Sequence, residues 1–342
     1  MGKIISAKNI ILLLFISILF ACKTIKQTNA IQTKNESQKG VYKLTPLDTG
    51  YCTLGERHLL GDEFDDNNRV PIVLYAFLFE SIDGKEKGLV DLGPKTVEYT
   101  NDMFQRFGFF RKSYANINNP DDIVQRYGNV FDHLERLHII PKQIEHIIFT
   151  HLHADHHGMD NGKNPGSPAD FPNVIFYVSG KGWEHNLSKK QGWDWHSYLD
   201  HQFANFLQEK ATEGKVVFKD DYSPLPGISI GYLGGHSVCS QMICVNTEFG
   251  LAILTSDEIY TYNLFKQAKV PRLKTTNEQI LAAWDKIVKL SDENDSIILP
   301  VHEPVLSDLY QKYGDNWLLE AKKISKESLE QYKQSKRTLV GE

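Results

Sequence analysis

A run of histidines with one aspartate, directly after an apolar segment, constrains this chain more than any other feature. Residues 151–158 read HLHADHHG and follow the segment HIIFT, which predicts a short buried strand. Side chains two residues apart at an extended strand end point the same way, so His151 and His153 can bind one metal ion. Asp155 and His156, in the turn that follows, can reach a second ion. Imidazole nitrogens and carboxylate oxygens are typical zinc ligands, which favours a metal site over a histidine-rich surface loop.

Three further ligand candidates stand downstream. His236, Asp257 and His302 each follow an apolar segment of β type, at the position where loops carry functional side chains on a rigid sheet. Taken singly, each also fits a loop histidine or a capping aspartate. Taken together with the residues at 151–156, they predict a site for two metal ions.

This pattern resembles the metallo-β-lactamase-fold hydrolases, and within them the N-acyl-homoserine lactonases. The HxHxDH motif is specific to that superfamily, and the resemblance extends over most of residues 45–305. The similarity to lactonases lies in two spacings, 21 residues from His236 to Asp257 and 45 residues from Asp257 to His302. It also lies in Tyr260, which stands three residues after Asp257.

The resemblance implies a role for each of these residues. Asp257 would bridge two divalent metal ions, expected to be Zn²⁺, with a shared hydroxide between them as the nucleophile. Tyr260 would donate a hydrogen bond to the developing oxyanion, and we count it with Asp155 as the catalytic candidates. Asp91 is expected to orient a ligand histidine and not to bind metal itself. The two ligand groups implied are His151, His153 and His236 for one ion, and Asp155, His156 and His302 for the other.

The fold class predicted is α/β. Strands occur in hairpins early in the chain and alternate with helices later, which indicates layered α/β architecture. The resemblance specifies an αββα sandwich of two mixed β-sheets flanked by helices. The segments predicted as strands are 71–81, 88–91, 146–150, 173–178, 215–218, 228–231, 242–245, 251–254 and 296–301; those predicted as helices are 121–137, 277–290 and the charged tail after residue 307.

The N-terminus predicts export. Residues 1–21 combine two lysines with an apolar run of eleven residues, which is too short to span a bilayer but suits a signal peptide. The run ends at Ala21-Cys22, which resembles a bacterial lipobox and implies lipidation of Cys22; an ordinary cleaved signal is the alternative. Residues 22–40 read as a flexible tether, and residues 41–342 as one hydrolase domain. A lipid-anchored protein of the outer membrane, or one facing the periplasm, is therefore expected, with no other membrane contact.

The net charge and the seven ligand positions limit the classes of function that the sequence allows. The formal net charge of −5 and the lack of a basic block argue against nucleic acid as a partner. We expect a small-molecule substrate, a lactone or related ester, with N-acyl-homoserine lactone (quorum quenching) as one candidate. A thioester, a phosphotriester or another ester stays an alternative within the fold. A non-catalytic surface-binding lipoprotein is the alternative outside it, and the presence of all seven ligand positions argues against that.

Several residues depart from the lactonase pattern or carry no prediction. His157 is expected to neighbour the site and not to bind metal. The tryptophans of residues 161–215 either cover a substrate cleft or pack an insertion. The cysteines of the predicted domain form one disulfide plus a free thiol, or three buried thiols. These residues are Trp183, Trp193 and Trp195, and Cys52, Cys239 and Cys244.

Overall fold

The computed structural model describes residues 40–61, 63–65, 67–94, 126–159, 167–188, 201–271 and 277–340. The predicted signal peptide, Cys22, almost all of the tether, Trp193 and Trp195 lie outside these residues. Within the described ranges, no helix is long and apolar enough to cross a bilayer. The described residues from Val41 onward belong to one unit.

The strands form two β-layers. The first layer has the order β1-β2-β3-β4-β5-β6, and the second has the order β7-β8-β9-β10-β11. The layers are joined where Tyr42 of β1 pairs with Thr247 of β9. Both layers mix parallel and antiparallel pairs. The strands are β1 Tyr42–Gly55, β2 Arg69–Ser81, β3 Lys87–Val90, β4 His146–Ile148, β5 Ile175–Val178, β6 Val216–Phe218, β7 Tyr222–Leu225, β8 Ile228–Tyr232, β9 Gln241–Thr247, β10 Gly250–Leu254 and β11 Ile297–Leu299.

Helices cover the outer faces of both layers. In the described part of the chain they are α1 Glu56–Leu60, α2 Val130–Arg136, α3 Ala154–His157, α4 Gly180–Ser188, α5 His201–Thr212, α6 Tyr262–Lys266, α7 Asn277–Asn294, α8 Val305–Tyr313 and α9 Trp317–Val340.

Alternation along each strand sends successive side chains to different cores. Ile148 of β4 packs in one cluster with Ile243 of β9, so this cluster lies between the two β-layers. The preceding residue, Ile147, packs in a second cluster with residues of α2 and α5 on the outside of the first layer. Ile253 of β10 packs with Trp284 of α7 in a third cluster, outside the second layer. Because both faces of the central strands are covered, the sequences of strands such as β10 and β11 are apolar almost throughout. The predicted αββα sandwich is confirmed.

Helix α2 begins later than the sequence predicts. The prediction placed a helix over residues 121–137, of which the first five lie outside the described ranges. Within the described part, the helix starts only at Val130. Gly128 has a φ of 96°, a conformation that a continuing helix cannot contain. The Asn129 side chain then caps the backbone N–H groups of Phe131 and Asp132, which defines the start of the helix.

Candidate metal centre

Strand ends bring the predicted site residues together. Asp91 follows β3, His151 comes shortly after β4, and Asp257 and His302 follow β10 and β11. The pairs β3–β4 and β10–β11 are parallel, so the carboxyl ends within each pair lie at the same edge. His236 reaches the site from the loop between β8 and β9.

The ligand candidates fall into two groups, each with its ligand atoms within 4.8 Å of one another. The division matches the one that the resemblance implies. The first group is His151, His153, His236 and Asp257, and the second is Asp155, His156 and His302.

Asp257 lies between the groups and turns one oxygen toward each. Its Oδ2 atom lies 3.8 Å from Nε2 of His151 and 3.5 Å from Nε2 of His236. Its Oδ1 atom lies 3.3 Å from Nε2 of His156 and 3.0 Å from Nε2 of His302. The preceding residue, Ser256, has a left-handed backbone with a φ of 54°, and this turn aims the carboxylate into the site. A carboxylate so placed can ligate two cations at once.

The local fold explains how one short segment serves both groups. Helix α3 begins immediately after His153 and lasts a single turn, ending at Gly158 with a φ of 63°. Residues before the helix are extended and face the first group. Asp155 and His156 lie on the helical turn and face the second, with Oδ2 and Nε2 separated by 3.7 Å. The Asp155 side chain is 15% exposed, so it is the member of this pair open to solvent.

The second nitrogen of three ligand histidines is held by a neighbouring group. Nδ1 of His156 lies 2.9 Å from Oδ2 of Asp91. Nδ1 of His302 lies 2.9 Å from the carbonyl oxygen of Val73. Nδ1 of His151 lies 3.3 Å from the hydroxyl of Ser256. Such partners fix the ring orientation and leave Nε2 facing the centre of the site.

Burial and charge separate the protonation of the two groups. Burial lowers the pKa of His151 and His153 well below the ordinary value and lowers that of His236 to about 4. These imidazoles are therefore neutral, the form that binds metal. Burial also acts on His156 and His302, but nearby carboxylates outweigh it and raise the pKa of both. Burial opposes ionisation of Asp257, yet the surrounding histidines hold its pKa well below the usual range.

The buried nitrogen and oxygen atoms at the centre of the site suit metal ions. Among the described residues, Nε2 of His151, His156 and His302 and Oδ1 of Asp257 are buried and make no hydrogen bond of acceptable geometry. Buried polar atoms without hydrogen bonds are costly, and a bound cation would satisfy a cluster of them aimed at one another. Nitrogen and oxygen donors of this kind suit Zn²⁺ and related divalent ions.

Glu258 is a site residue that sequence reasoning missed. Its side chain is fully buried and accepts hydrogen bonds from the backbone N–H groups of Gly235 and His236 at 2.9–3.0 Å. Burial raises the pKa of Glu258 to about 8. Its position next to Asp257 was the available signal, because a second acid beside a ligand in an apolar segment needs a partner.

The structure places the remaining candidates as follows. The Tyr260 ring is buried between His236 and His302, with ring centroids 5.9 Å and 5.0 Å away. His157 belongs to neither ligand group and stacks on Phe203, which agrees with its expected role as a neighbour. Trp183 stacks on Phe218 and packs in the cluster outside the first β-layer. Cys52, Cys239 and Cys244 are buried thiols that form no disulfide with one another.

Known proteins resemble the chain in both sequence and structure. No family model matches it. An N-acyl homoserine lactonase of Bacillus cereus is 25% identical over 265 residues, which cover 77% of this chain and 94% of that protein. A solved Bacillus thuringiensis lactonase with N-decanoyl-L-homoserine at its active site superposes with a TM-score of 0.56 at 20% identity, covering 78% and 96% of the two chains. A dizinc quorum-quenching lactonase in complex with its product gives a TM-score of 0.54 at 17% identity, over 78% and 89%. The predicted fold and the predicted resemblance are confirmed.

Proposed function

We propose that this chain, a metal-dependent hydrolase with the metallo-β-lactamase fold, opens the ring of a lactone or related ester. We favour N-acyl-homoserine lactones as the substrate class, because the chain resembles the N-acyl homoserine lactonase of B. cereus over most of its length. The two ligand groups consist of histidines and aspartates, so hydrolysis would depend on water activated by metal.

The observation that carries this proposal is the placement of Asp257. One carboxylate faces two histidines of the first group with Oδ2 and two histidines of the second with Oδ1. A lone metal would need only one side of this carboxylate. Two divalent ions are therefore proposed, and the nitrogen and oxygen donors favour Zn²⁺ for both.

The residues of the chain divide the work in a way that suits ring opening. When bound, two divalent ions polarise an ester carbonyl and make hydroxide available at neutral pH. The Tyr260 phenol, next to both His236 and His302, would donate a hydrogen bond to the oxygen that gains charge. Asp155, which is partly open to solvent, would take the proton that the attacking water gives up and pass it to the departing alkoxide. The buried imidazoles need no proton removed before they bind metal in the first group.

The experiment is a substrate panel with a metal count. The purified full-length protein is loaded with zinc, its metal content is measured, and it is assayed on acyl-homoserine lactones of varied chain length. Thioester, β-lactam and phosphotriester substrates serve as comparisons. Two ions per chain, with lactone opening that falls more than about 100-fold in Asp257→Ala, would support the proposal. Loss of a ligand shared by both ions should lower activity more than loss of a residue that only orients a ligand, which typically costs about 10- to 100-fold. Two ions per chain with hydrolysis of another ester class would support the two-metal centre and reject a lactone as the substrate.

We also propose that the protein is exported and anchored to a bacterial membrane through lipid on Cys22. The support is the sequence of residues 1–22, in which a charged start and a short apolar run end at Ala21-Cys22. Mass spectrometry of the mature N-terminus would show a diacylglyceryl-modified Cys22. Membrane fractionation of Cys22→Ser should show its release from the membrane; unchanged membrane association would reject the anchor.

A further inference from the structure

The Glu258 carboxylate joins two of the loops that carry ligand candidates. Asp257 and Glu258 are consecutive, and their side chains have different partners: Asp257 faces the histidines, and Glu258 accepts from the backbone of the His236 loop. Oε1 accepts from N–H of Gly235 at 3.0 Å and of His236 at 2.9 Å, and Oε2 lies 3.0 Å from the same His236 nitrogen. The backbone of the residue that donates a ligand to the first group is thus tied directly to the backbone turn of the bridging aspartate.

The glycine before His236 is fitted to this carboxylate. A Cβ atom built on Gly235 would lie 2.2 Å from Oε2 of Glu258, a distance that real Cβ contacts do not show. Gly235 does not have a positive φ, so its backbone conformation does not require glycine. The close approach of the carboxylate is the feature that excludes a side chain at this position.

The loop that holds His236 is also fixed by hydrogen bonds within the loop. N–H of Leu233 and of Gly234 both donate to the Ser240 carbonyl, which closes the loop on itself. The Tyr232 hydroxyl donates to the Val238 carbonyl at 3.2 Å. Among the bonds described in this loop, those that the His236 backbone N–H donates go to the Glu258 carboxylate. The side of Glu258 facing away from the loop is held too, because Trp284 of α7 donates its indole N–H to the Glu258 carbonyl.

We propose that Glu258 is a positioning residue that sets His236 at the first metal group. This inference rests on the proposed two-metal centre and adds to it the residue that holds one ligand. Removing an outer partner of a ligand typically weakens metal binding about 10- to 100-fold. Because Glu258 holds the His236 loop and not the loop of His302, the loss should fall on the first group alone.

The test measures metal binding on the purified full-length protein, with Zn²⁺ added to the metal-free chain against a competing chelator. We expect Glu258→Ala to weaken one of the two binding steps about 10- to 100-fold and to leave the other unchanged. Cadmium-113 NMR of the Cd²⁺-loaded protein identifies the step, since one of the two resonances should shift or disappear while the other stays. This readout does not depend on substrate or turnover.

Matched variants separate positioning from general loss of stability. Glu258→Gln keeps an oxygen that can accept from both N–H groups and should restore most of the affinity. Glu86→Gln is the control. Glu86 accepts a hydrogen bond from the Tyr42 hydroxyl and stands just before β3, whereas Asp91 and the ligand groups lie at the other end of that strand. It should leave both binding steps unchanged.

Gly235→Ala tests the same contact from the other side. The added methyl group would displace the carboxylate, so this variant should weaken the same binding step as Glu258→Ala. In the variant that combines Gly235→Ala with Glu258→Ala, the methyl group has no carboxylate to displace. Its loss of metal affinity should therefore be no larger than that of Glu258→Ala alone. If Glu258→Ala does not fold, Gly235→Ala alone tests the contact through its loss of affinity at the same binding step.

The outcomes distinguish this inference from the proposed function. Wild-type protein that binds fewer than two ions would overturn both. Wild-type protein that binds two ions, together with folded Glu258→Ala or Gly235→Ala that binds two with unchanged affinities, would overturn only the role of Glu258. Equal weakening of both steps would also overturn it, because the effect would not be confined to the group that contains His236.

Discussion

The Oδ2 atom of Asp91 lies 2.9 Å from Nδ1 of His156, on the side of the imidazole away from Asp257. The same carboxylate accepts hydrogen bonds from the backbone N–H of Thr150 at 2.7 Å and from its hydroxyl at 2.6 Å. Asp91 is therefore locked to the segment that precedes the ligand motif. With Nδ1 directed at a carboxylate, His156 presents Nε2 to the second ligand group.

Asp91→Asn should weaken metal binding by the second group about 10- to 100-fold. Asparagine has one acceptor oxygen, so it cannot serve both Thr150 and His156 as the carboxylate does. It does tolerate the left-handed backbone of Asp91, whose φ is 57°, so the change tests the hydrogen bonds and not the fold. Chelator competition on the zinc-loaded protein measures the affinity. Asp83→Asn, on an exposed turn, is the control, and equal effects of the two variants would contradict the prediction.

Tyr260→Phe should lower kcat for lactone opening about 10²-fold, with KM changed much less, because it removes a donor needed in the transition state. The matched control is Tyr262→Phe two residues later. The Tyr262 hydroxyl donates to the Ile298 carbonyl inside the sandwich, so its loss should lower the free energy of unfolding by about 1 kcal/mol and leave kcat near wild type. Steady-state kinetics and urea unfolding of both variants decide, and a kcat for Tyr260→Phe equal to wild type would reject the role of its hydroxyl.

The ligand motif could be predicted because its constraints are local. Residues 151–156 follow a buried strand. The extended backbone directs His151 and His153 toward the first ligand group, and the helical turn that follows directs Asp155 and His156 toward the second. His236, Asp257 and His302 could be predicted because each follows an apolar strand. Their division between two groups came from the resemblance, since it depends on which strand ends lie side by side.

Strand β1 and the hydrogen-bond partners of Glu258 could not be predicted, because both depend on residues distant in the chain. The 14 residues of β1 include Pro46, Gly50 and a bulge between Asp48 and Gly50, so no simple alternation marks them as a strand. They are extended because β2 pairs along their whole length. Glu258 likewise acquires its role only from Gly235 and His236, the latter 22 residues away. Pairing and side-chain contacts over such distances leave no periodic pattern in the chain.

Asn129→Ala should lower the free energy of unfolding by about 1 kcal/mol. The Asn129 side chain accepts from Phe131 N–H at 2.8 Å and Asp132 N–H at 3.2 Å, and the Asp132 carboxylate accepts from Asn129 N–H in return. If the helix instead continued upstream, as the sequence predicts, residue 129 would be interior and alanine would be neutral or stabilising. Urea unfolding measures the change. Asn67→Ala, in an exposed turn, should stay within about 0.5 kcal/mol of wild type.

Metal binding to the second group should release protons near neutral pH, and binding to the first should not. Carboxylates raise the pKa of His156 and His302 in the metal-free protein, so these rings carry protons that a cation must displace. The affinity of the second group should therefore fall as the pH falls through and below neutrality. Burial lowers the pKa of His151 and His153 well below the ordinary value, and that of His236 to about 4, so these rings are already neutral at pH 6–7. Lowering the pH over this range should leave the first group's affinity nearly constant.

Calorimetric titration of the metal-free protein with Zn²⁺ at pH 6.5, in two buffers of different protonation enthalpy, counts the protons released in each binding step. We expect one step to release almost none and the other to release between one and two. His302→Ala, which removes one of the two protonated rings, should lower the proton release of that second step by up to one proton and leave the first-group step in place. Equal proton release in both steps of the wild-type protein would contradict the assignment, because it would place protonated histidines in both groups.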